Sequence, residues 1–404
     1  MSPILPTRPP KRERTPQTSR EAVLFRKLFH RNRRGASEQD VRTANVIGAV
    51  SPPTQDTRAA INELSQVVRD DPEAVEIYLA LGSLYRSQGE IERAIQIRNS
   101  LIVRSGLDPK LKARAFFELG RDFRRGGFLD RAEQAFNEAR SIIGDNEEIH
   151  FEVARLQAER GHYRDAADSF GRLGQPLLRA HYLVRAAHDE YASGQESHGA
   201  KLLKYALRAF PGSVEAWLER IVQAYRNGSA AKMASAIVEA QALVEPGIRF
   251  VLFEGLLQEV ARAERADDSG DQQHEWAEAC SVADLVKVLR PKLEALEPDM
   301  LNHYYFGQML LKNRDIDEAK DWFERALLLQ PDFWLARLEL FELSRSEQKL
   351  TPFFREQLTF FMDRAREVSR FYCGKCGLKR DTLFFVCPRC KSWHSIKFRT
   401  NFSQ

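Results

Sequence analysis

The stretch FELGRDFRRGGFLDRAEQAFNEA, residues 117–139, decides the fold of this 404-residue chain. Its apolar and small residues do not alternate as they would in a strand. They recur at helical spacing on both sides of a Gly-Gly break. Counted from Gly120, Phe123 stands three residues on, Gly127 seven, Ala132 twelve, Phe136 sixteen and Ala139 nineteen. The pattern describes a helix with a small residue at a close approach, then a turn, then a second helix returning along the first.

Two other stretches repeat the template. LALGSLYRSQGEIERAIQI (79–97) places Gly82, Tyr85, Gly89 and Ala94 in step, and FGQMLLKNRDIDEAKDWFERALLLQP (306–331) places Gly307, Ala319, Phe323, Ala326 and Pro331. Anchored on the first small position, units fall at Gly48, Gly82, Gly120, Ala154, Ala187, Ile221, Gly255 and Gly307, with spacings of 34, 38, 34, 33, 34, 34 and 52. A period near 34 is that of the tetratricopeptide repeat. The expected fold class is therefore an all-α tetratricopeptide-repeat superhelix of about eight hairpins over residues 40–346. Each hairpin has an apolar face that only its neighbours can bury, and the stack presents a surface suited to protein partners. Ser51-Pro52-Pro53 shortens the first turn, and RADDSGDQQHEW (265–276) marks a distorted or extra helix pair, making the stack irregular near 262–298.

Charge divides the chain further. Residues 1–34 carry +8, residues 370–404 carry +7, and the overall +4 leaves −11 for the body. A basic head and tail on an acidic body imply different partners at different places. Pro3, Pro6, Pro9, Pro10 and Pro16 punctuate the head, so residues 1–39 read as a disordered basic segment containing one short amphipathic helix. In REAVLFRKLFHRNRR (20–34), Val23, Leu24 and Leu28 share one side among arginines and lysine. That composition suits peripheral contact with an anionic membrane surface. An acidic protein face is an equal candidate, and a solvated linker a third. No stretch reaches the roughly 18 apolar residues of a spanning helix, and the head lacks the apolar core of a secretory signal. The expected location is cytoplasmic, reducing, and peripheral at most to a membrane.

Signatures of catalysis are absent from the body. HEWAE (274–278) has Glu278 where a zinc protease helix needs a second histidine, and DDSGD (267–271) lacks the ligand spacing of a calcium loop. His181 and His188 share a helix face without a third ligand, which points to helix packing, and solitary Cys280 reads as a buried helical thiol. No glycine loop cradles phosphate and no nucleophile elbow occurs. The expectation is a protein that is not an enzyme.

Four of the five cysteines lie in YCGKCGLKRDTLFFVCPRCKSW, residues 372–393. Cys373, Cys376, Cys387 and Cys390 form Cys-x-x-Cys, ten residues, Cys-x-x-Cys, the spacing of two metal knuckles joined by a hairpin, with TLFFV (382–386) as the expected strand. Gly377 and Pro388 suit the knuckle turns. Residues 370–404 are thus a small β-rich four-Cys metal ribbon of rubredoxin or zinc-ribbon type, joined to the repeats by a linking helix over 347–369. Four thiolates make a closed, structural site for one metal ion; iron and zinc both accept it. A redox iron site is one alternative. A nucleic-acid-binding ribbon on a repeat scaffold is another, from the +7 tail with Phe384, Phe385, Trp393 and Phe398. Docking of the basic ribbon on the −11 body competes with that, and no nucleic acid is expected as partner.

The combination of repeats with a terminal four-cysteine ribbon resembles the lipopolysaccharide assembly protein B family. The wording of EIYLALGSLYRSQGEIERAIQI (76–97), LGRDFRRGGFLDRAEQAF (119–136) and YCGKCGLKRDTLFFVCPRCKSWHSIK (372–397) carries the likeness, which spans roughly residues 40–400 and loosens between 180 and 300. The resemblance implies a rubredoxin-like module packed against the repeats, with Cys373, Cys376, Cys387 and Cys390 as ligands. It also implies an adaptor at the cytoplasmic face of the inner membrane that works with the AAA protease FtsH to control a lipid A biosynthetic enzyme. Members usually begin with a membrane-spanning helix; here the proline-rich head stands in that place, and the stretch around 24–29 is the candidate substitute.

Overall fold

A computed structural model describes residues 55–70, 74–268, 278–345 and 349–401. The head, with its amphipathic stretch at 20–34, and the first anchor, Gly48, lie outside the described residues, as do most of DDSGD and HEWAE. After α1 (Gln55–Asp70) come the pairs α2 (Val75–Gln88) and α3 (Ile91–Ile102), α4 (Pro109–Arg125) and α5 (Leu129–Ile143), α6 (Glu147–Glu159) and α7 (Tyr163–Arg172), and α8 (Pro176–Ala192) and α9 (Glu196–Ala209). These are followed by α10 (Val214–Arg226) and α11 (Ala230–Leu243), α12 (Phe250–Asp268) and α13 (Val282–Glu294), and α14 (Met300–Lys312) and α15 (Ile316–Leu329). Then come α16 (Trp334–Ser344) and α17 (Pro352–Arg366), and a sheet of β1 (Phe371–Cys373), β2 (Lys379–Arg380) and β3 (Ile396–Phe398).

The template's offsets have direct physical counterparts. A Cβ added to Gly120 would lie 2.6 Å from the ring of Phe136, and one on Gly307 would lie 2.6 Å from Phe323, so the large residue sixteen positions on fills the space the glycine leaves. In α6 and α7 the pair is Ala154 and Phe170, both fully buried; in α10 and α11 it is Ile221 and Ile237. Volume is shared across each helix pair, as close packing demands. Gly82 faces Arg98 instead, a fully buried guanidinium that donates to Asp122 at 3.3 Å, to the carbonyl of Leu79 at 2.8 Å and to Ser83 at 3.0 Å. Charge can stand in for an aromatic ring there only because Asp122, also fully buried, compensates it.

In most hairpins the turn lies seven residues after the anchor. Gly89 and Gly127 adopt φ of 87° and 80°, a left-handed conformation that costs glycine nothing. After Gly307 the same position is Arg314, held at φ 67°. After Gly255 it is Arg262, which stays helical: α12 has no stop there and runs on to Asp268. This physical cause underlies the long spacing in the sequence. Beyond it, α13 packs on α11 and α14.

First helices stand side by side, α2 on α4, α4 on α6, α8 on α10, α10 on α12 and α12 on α14. They fall into two runs, α2–α4–α6 and α8–α10–α12–α14, and the later run carries the ribbon. Among the described residues no helix is long and apolar enough to cross a membrane.

Candidate metal centre

β1 delivers Cys373 and pairs antiparallel with both β2 and β3, in the order β2-β1-β3, with Cys373 opposite Ile396. Each cysteine pair then closes a tight turn of the same design. Gly377 N–H donates to Cys373 O at 2.8 Å, and Lys391 N–H donates to Cys387 O at 2.9 Å. Both closing residues are left-handed, Gly377 at φ 70° and Lys391 at φ 58°, so the second knuckle has a non-glycine residue in a conformation glycine tolerates better.

The knuckles converge. Cys373 and Cys390 Sγ lie 3.6 Å apart, Cys376 and Cys387 Sγ 3.7 Å, and all four sulfurs lie within 4.8 Å of one another. A tetrahedron with metal–sulfur bonds of about 2.3 Å has edges of about 3.8 Å, so the donor set fits one four-coordinate soft cation. Two hydroxyls reinforce it, Ser395 Oγ at 3.2 Å from Cys373 Sγ and Ser392 Oγ at 3.2 Å from Cys390 Sγ. Burial opposes ionisation of Cys373, but the Ser395 hydroxyl and neighbouring backbone N–H groups bring its pKa down to about 6. Burial, with the adjacent sulfurs, pushes Cys376 up to about 12 and raises Cys387. Crowded thiols of this kind share protons until a cation replaces them.

TLFFV is not a strand. Only Val386 is bridged, to Trp393, and the strands are β1 to β3 instead. Leu383, Phe384 and Phe385 all pack toward one core, and a flat strand would turn alternate residues away.

The ribbon docks on the face of first helices. Phe371 stacks on Phe250 of α12 at 5.6 Å, and Phe398 meets Phe250, Tyr305 and Phe333 at 5.3, 6.2 and 6.0 Å. Glu254 of α12 receives Arg370 through both oxygens, at 2.9 and 3.1 Å, and the hydroxyl of Tyr305 at 3.0 Å. Farther along, Trp393 packs edge-on against His181 of α8 at 4.6 Å. Glu215 of α10 sits between two histidines, 2.6 Å from His181 Nδ1 and 3.4 Å from His394 Nε2. Burial works against this carboxylate, yet His181 and His394 hold its pKa down to about 2. Lys397 reaches Glu245 at 3.1 Å.

The sequence-level candidates separate accordingly. The four cysteines come together. His181 and His188 each take their own carboxylate, Glu215 and Glu219, the second at 2.7 Å, and join no cluster of metal-ligand type among the described residues. Cys280 is buried but precedes α13 and does not lie on a helix; its N–H reaches back to Tyr225 O at 3.0 Å. The helix starts only at Val282, because Ser281 caps it by accepting from Asp284 N–H at 3.1 Å. Sequence reading missed Glu215, Glu254 and His394. One signal was available: His181 and Glu215 are 34 residues apart, one repeat, and so occupy the same place on successive first helices.

Repeat pairs with a four-cysteine ribbon seated on their first helices define a tetratricopeptide-repeat protein carrying a small metal-type ribbon. Family models described as tetratricopeptide repeat match residues 54–109 and 303–333. Among curated proteins, the chain is similar to Lipopolysaccharide assembly protein B of Escherichia coli (strain K12), 26% identical over 358 residues, covering 84% of each chain. The protein of that name from Haemophilus influenzae is 23% identical over 346 residues, covering 80% of this chain and 78% of the other. Solved structures similar to the chain include a tetratricopeptide repeat protein from Parabacteroides merdae and yeast Tom70. The first has TM-score 0.34 and 17% identity, covering 67% of this chain and 98% of that one. The second has TM-score 0.35 and 13% identity, covering 83% of this chain and 66% of that one.

Proposed function

We propose that the chain is a non-enzymatic adaptor in lipopolysaccharide assembly, which binds protein partners through its repeats. In this reading it modulates the proteolysis of a lipid A biosynthetic enzyme by the membrane AAA protease FtsH, from the cytoplasmic side. Cys373, Cys376, Cys387 and Cys390 hold one metal ion, iron or zinc, whose contribution is a cross-link between the two knuckles. The protein's own groups do the rest: Ser392 and Ser395 support the thiolates, while Glu254 and Glu215 fix the ribbon to the repeats.

The observation that carries this reading is the closed ribbon itself. Its four sulfurs face one another, and Arg370, Trp393, His394 and Phe398 anchor it to the repeats, so it is built to hold a surface in shape. The same docking weighs against nucleic-acid binding, because Phe384 and Phe398 are buried and unavailable for stacking on bases.

The test is a pull-down from native cells with membrane and soluble fractions kept apart, using the wild type and Cys373→Ser. Recovery of a membrane protease or a lipid A enzyme by the wild type supports the reading. Recovery of ribosomes or nucleic acid overturns it, as does turnover by the purified protein.

A further inference from the structure

A groove with a volume of about 1150 Å³ lies among α9, α10 and α11, and no ribbon residue lines it. Its walls are α9 and α11, second helices of successive hairpins, and α10 is its floor. Leu203, Leu207, Trp217 and Leu243 supply apolar lining. Lys204, Arg208, Arg220 and Lys232 also line it, and Glu196 is the one carboxylate among the lining residues. Arg220 is matched by Glu239 at 3.4 Å. Lys204, Arg208 and Lys232 are exposed and have no carboxylate partner among the described residues. A cationic rim on a body of net charge −11 is a local departure from its surroundings, and it selects an anionic occupant.

The walls also select that occupant's conformation. They are helices, whose backbone groups are bonded internally, so an extended peptide would find no edge to pair with. A helix brings its own backbone bonds and needs only an apolar stripe. α9 and α11 have 14 residues each, about 21 Å.

We propose that this groove docks an acidic amphipathic helix of a partner protein, of about four turns. Its apolar stripe lies on Leu203, Leu207, Trp217 and Leu243, and its carboxylates face Lys204, Arg208 and Lys232. The site is separate from the ribbon and does not depend on metal.

The probe is a fluorescein-labelled helical peptide of about 14 residues with a leucine stripe flanked by glutamates. It is titrated into the full chain by anisotropy, beside a control with lysine for glutamate. The glutamate peptide is expected to bind, more weakly as salt rises, and the lysine peptide at least tenfold more weakly, about 1.4 kcal/mol. The triple variant Lys204→Glu, Arg208→Glu, Lys232→Glu should lose at least about tenfold in affinity. Ala231→Trp, which fills the groove without altering charge, should lose binding with an unchanged far-ultraviolet dichroism spectrum. Equal binding of both peptides overturns the proposal, as does undiminished binding by the triple variant or by Ala231→Trp. So does a dimer in sedimentation that Ala231→Trp abolishes and the peptide fails to displace, since the groove would then serve a second copy of this chain.

Discussion

Glu254 of α12 and Arg370, at the entry to β1, are 116 residues apart in sequence and form a two-pronged ion pair at 2.9 and 3.1 Å. The carboxylate is buried and also accepts from Tyr305. The pair therefore ties the start of the ribbon to the middle of the repeat stack, and removing Arg370 strands a buried carboxylate.

Arg370→Met is expected to destabilise the protein by on the order of 3 kcal/mol, because Glu254 would keep only neutral donors, the Tyr305 hydroxyl and the Gln258 amide, against a buried charge. The double variant Glu254→Leu, Arg370→Met should recover most of that loss. Urea unfolding of both singles and the double, read as a cycle, measures the coupling. A double variant as unstable as the sum of the singles would show that the two side chains act independently.

Metal removal should loosen the ribbon before the repeats. Chelation or Cys373→Ser is expected to bring metal content from one ion per chain to none, and to lower the ribbon's unfolding midpoint by at least about 10 °C. Hydrogen exchange should accelerate at the amides of residues 373, 377, 387 and 391, which close the knuckles, while the helix pair around Gly120 and Phe136 stays protected.

Acid should act through Glu215. Its pKa falls from the ordinary 4.5 to about 2 in the folded protein, so its contribution is fully present above about pH 4.5 and is lost as pH drops toward 2. The full effect is on the order of 3 kcal/mol. Glu118, held down to about 2 by Arg86 and Arg121 against its burial, contributes in the same window. Glu215→Gln should therefore flatten only part of the stability-against-pH curve below 4.5. An unchanged slope would remove Glu215 from the account.

Arg314→Gly is expected to stabilise the α14–α15 turn by roughly 0.5–1 kcal/mol, since glycine relieves a left-handed residue that earlier repeats already fill with glycine. Gly120→Ala should do the opposite, by about 1–3 kcal/mol, because its Cβ would sit 2.6 Å from Phe136. Thermal midpoints of the two variants, moving in opposite directions, check both.

The legible part of this protein is the part set by local spacing. Gly120 with Phe136, and Gly307 with Phe323, are sixteen residues apart, within one helix pair, so their complementary volumes can be read from a single stretch. The two Cys-x-x-Cys knuckles are equally local, and their convergence follows from backbone turns of a few residues. TLFFV misleads for the same reason: its composition suits a strand, but Phe384 is claimed by a core that includes distant residues, which no local pattern reports.

By itself, the sequence determined the repeat, its turns and the four-thiol cluster, because each depends on contacts within a few dozen residues, where chain connectivity brings groups together. Tertiary structure alone decided where the ribbon sits. Glu215 meets His394, Glu254 meets Arg370, and Phe250 meets Phe371 and Phe398 across more than a hundred residues. Those encounters depend on how the stacked helices place Phe250, Glu254 and Glu215 on one face, and on the burial that makes each charge require its partner.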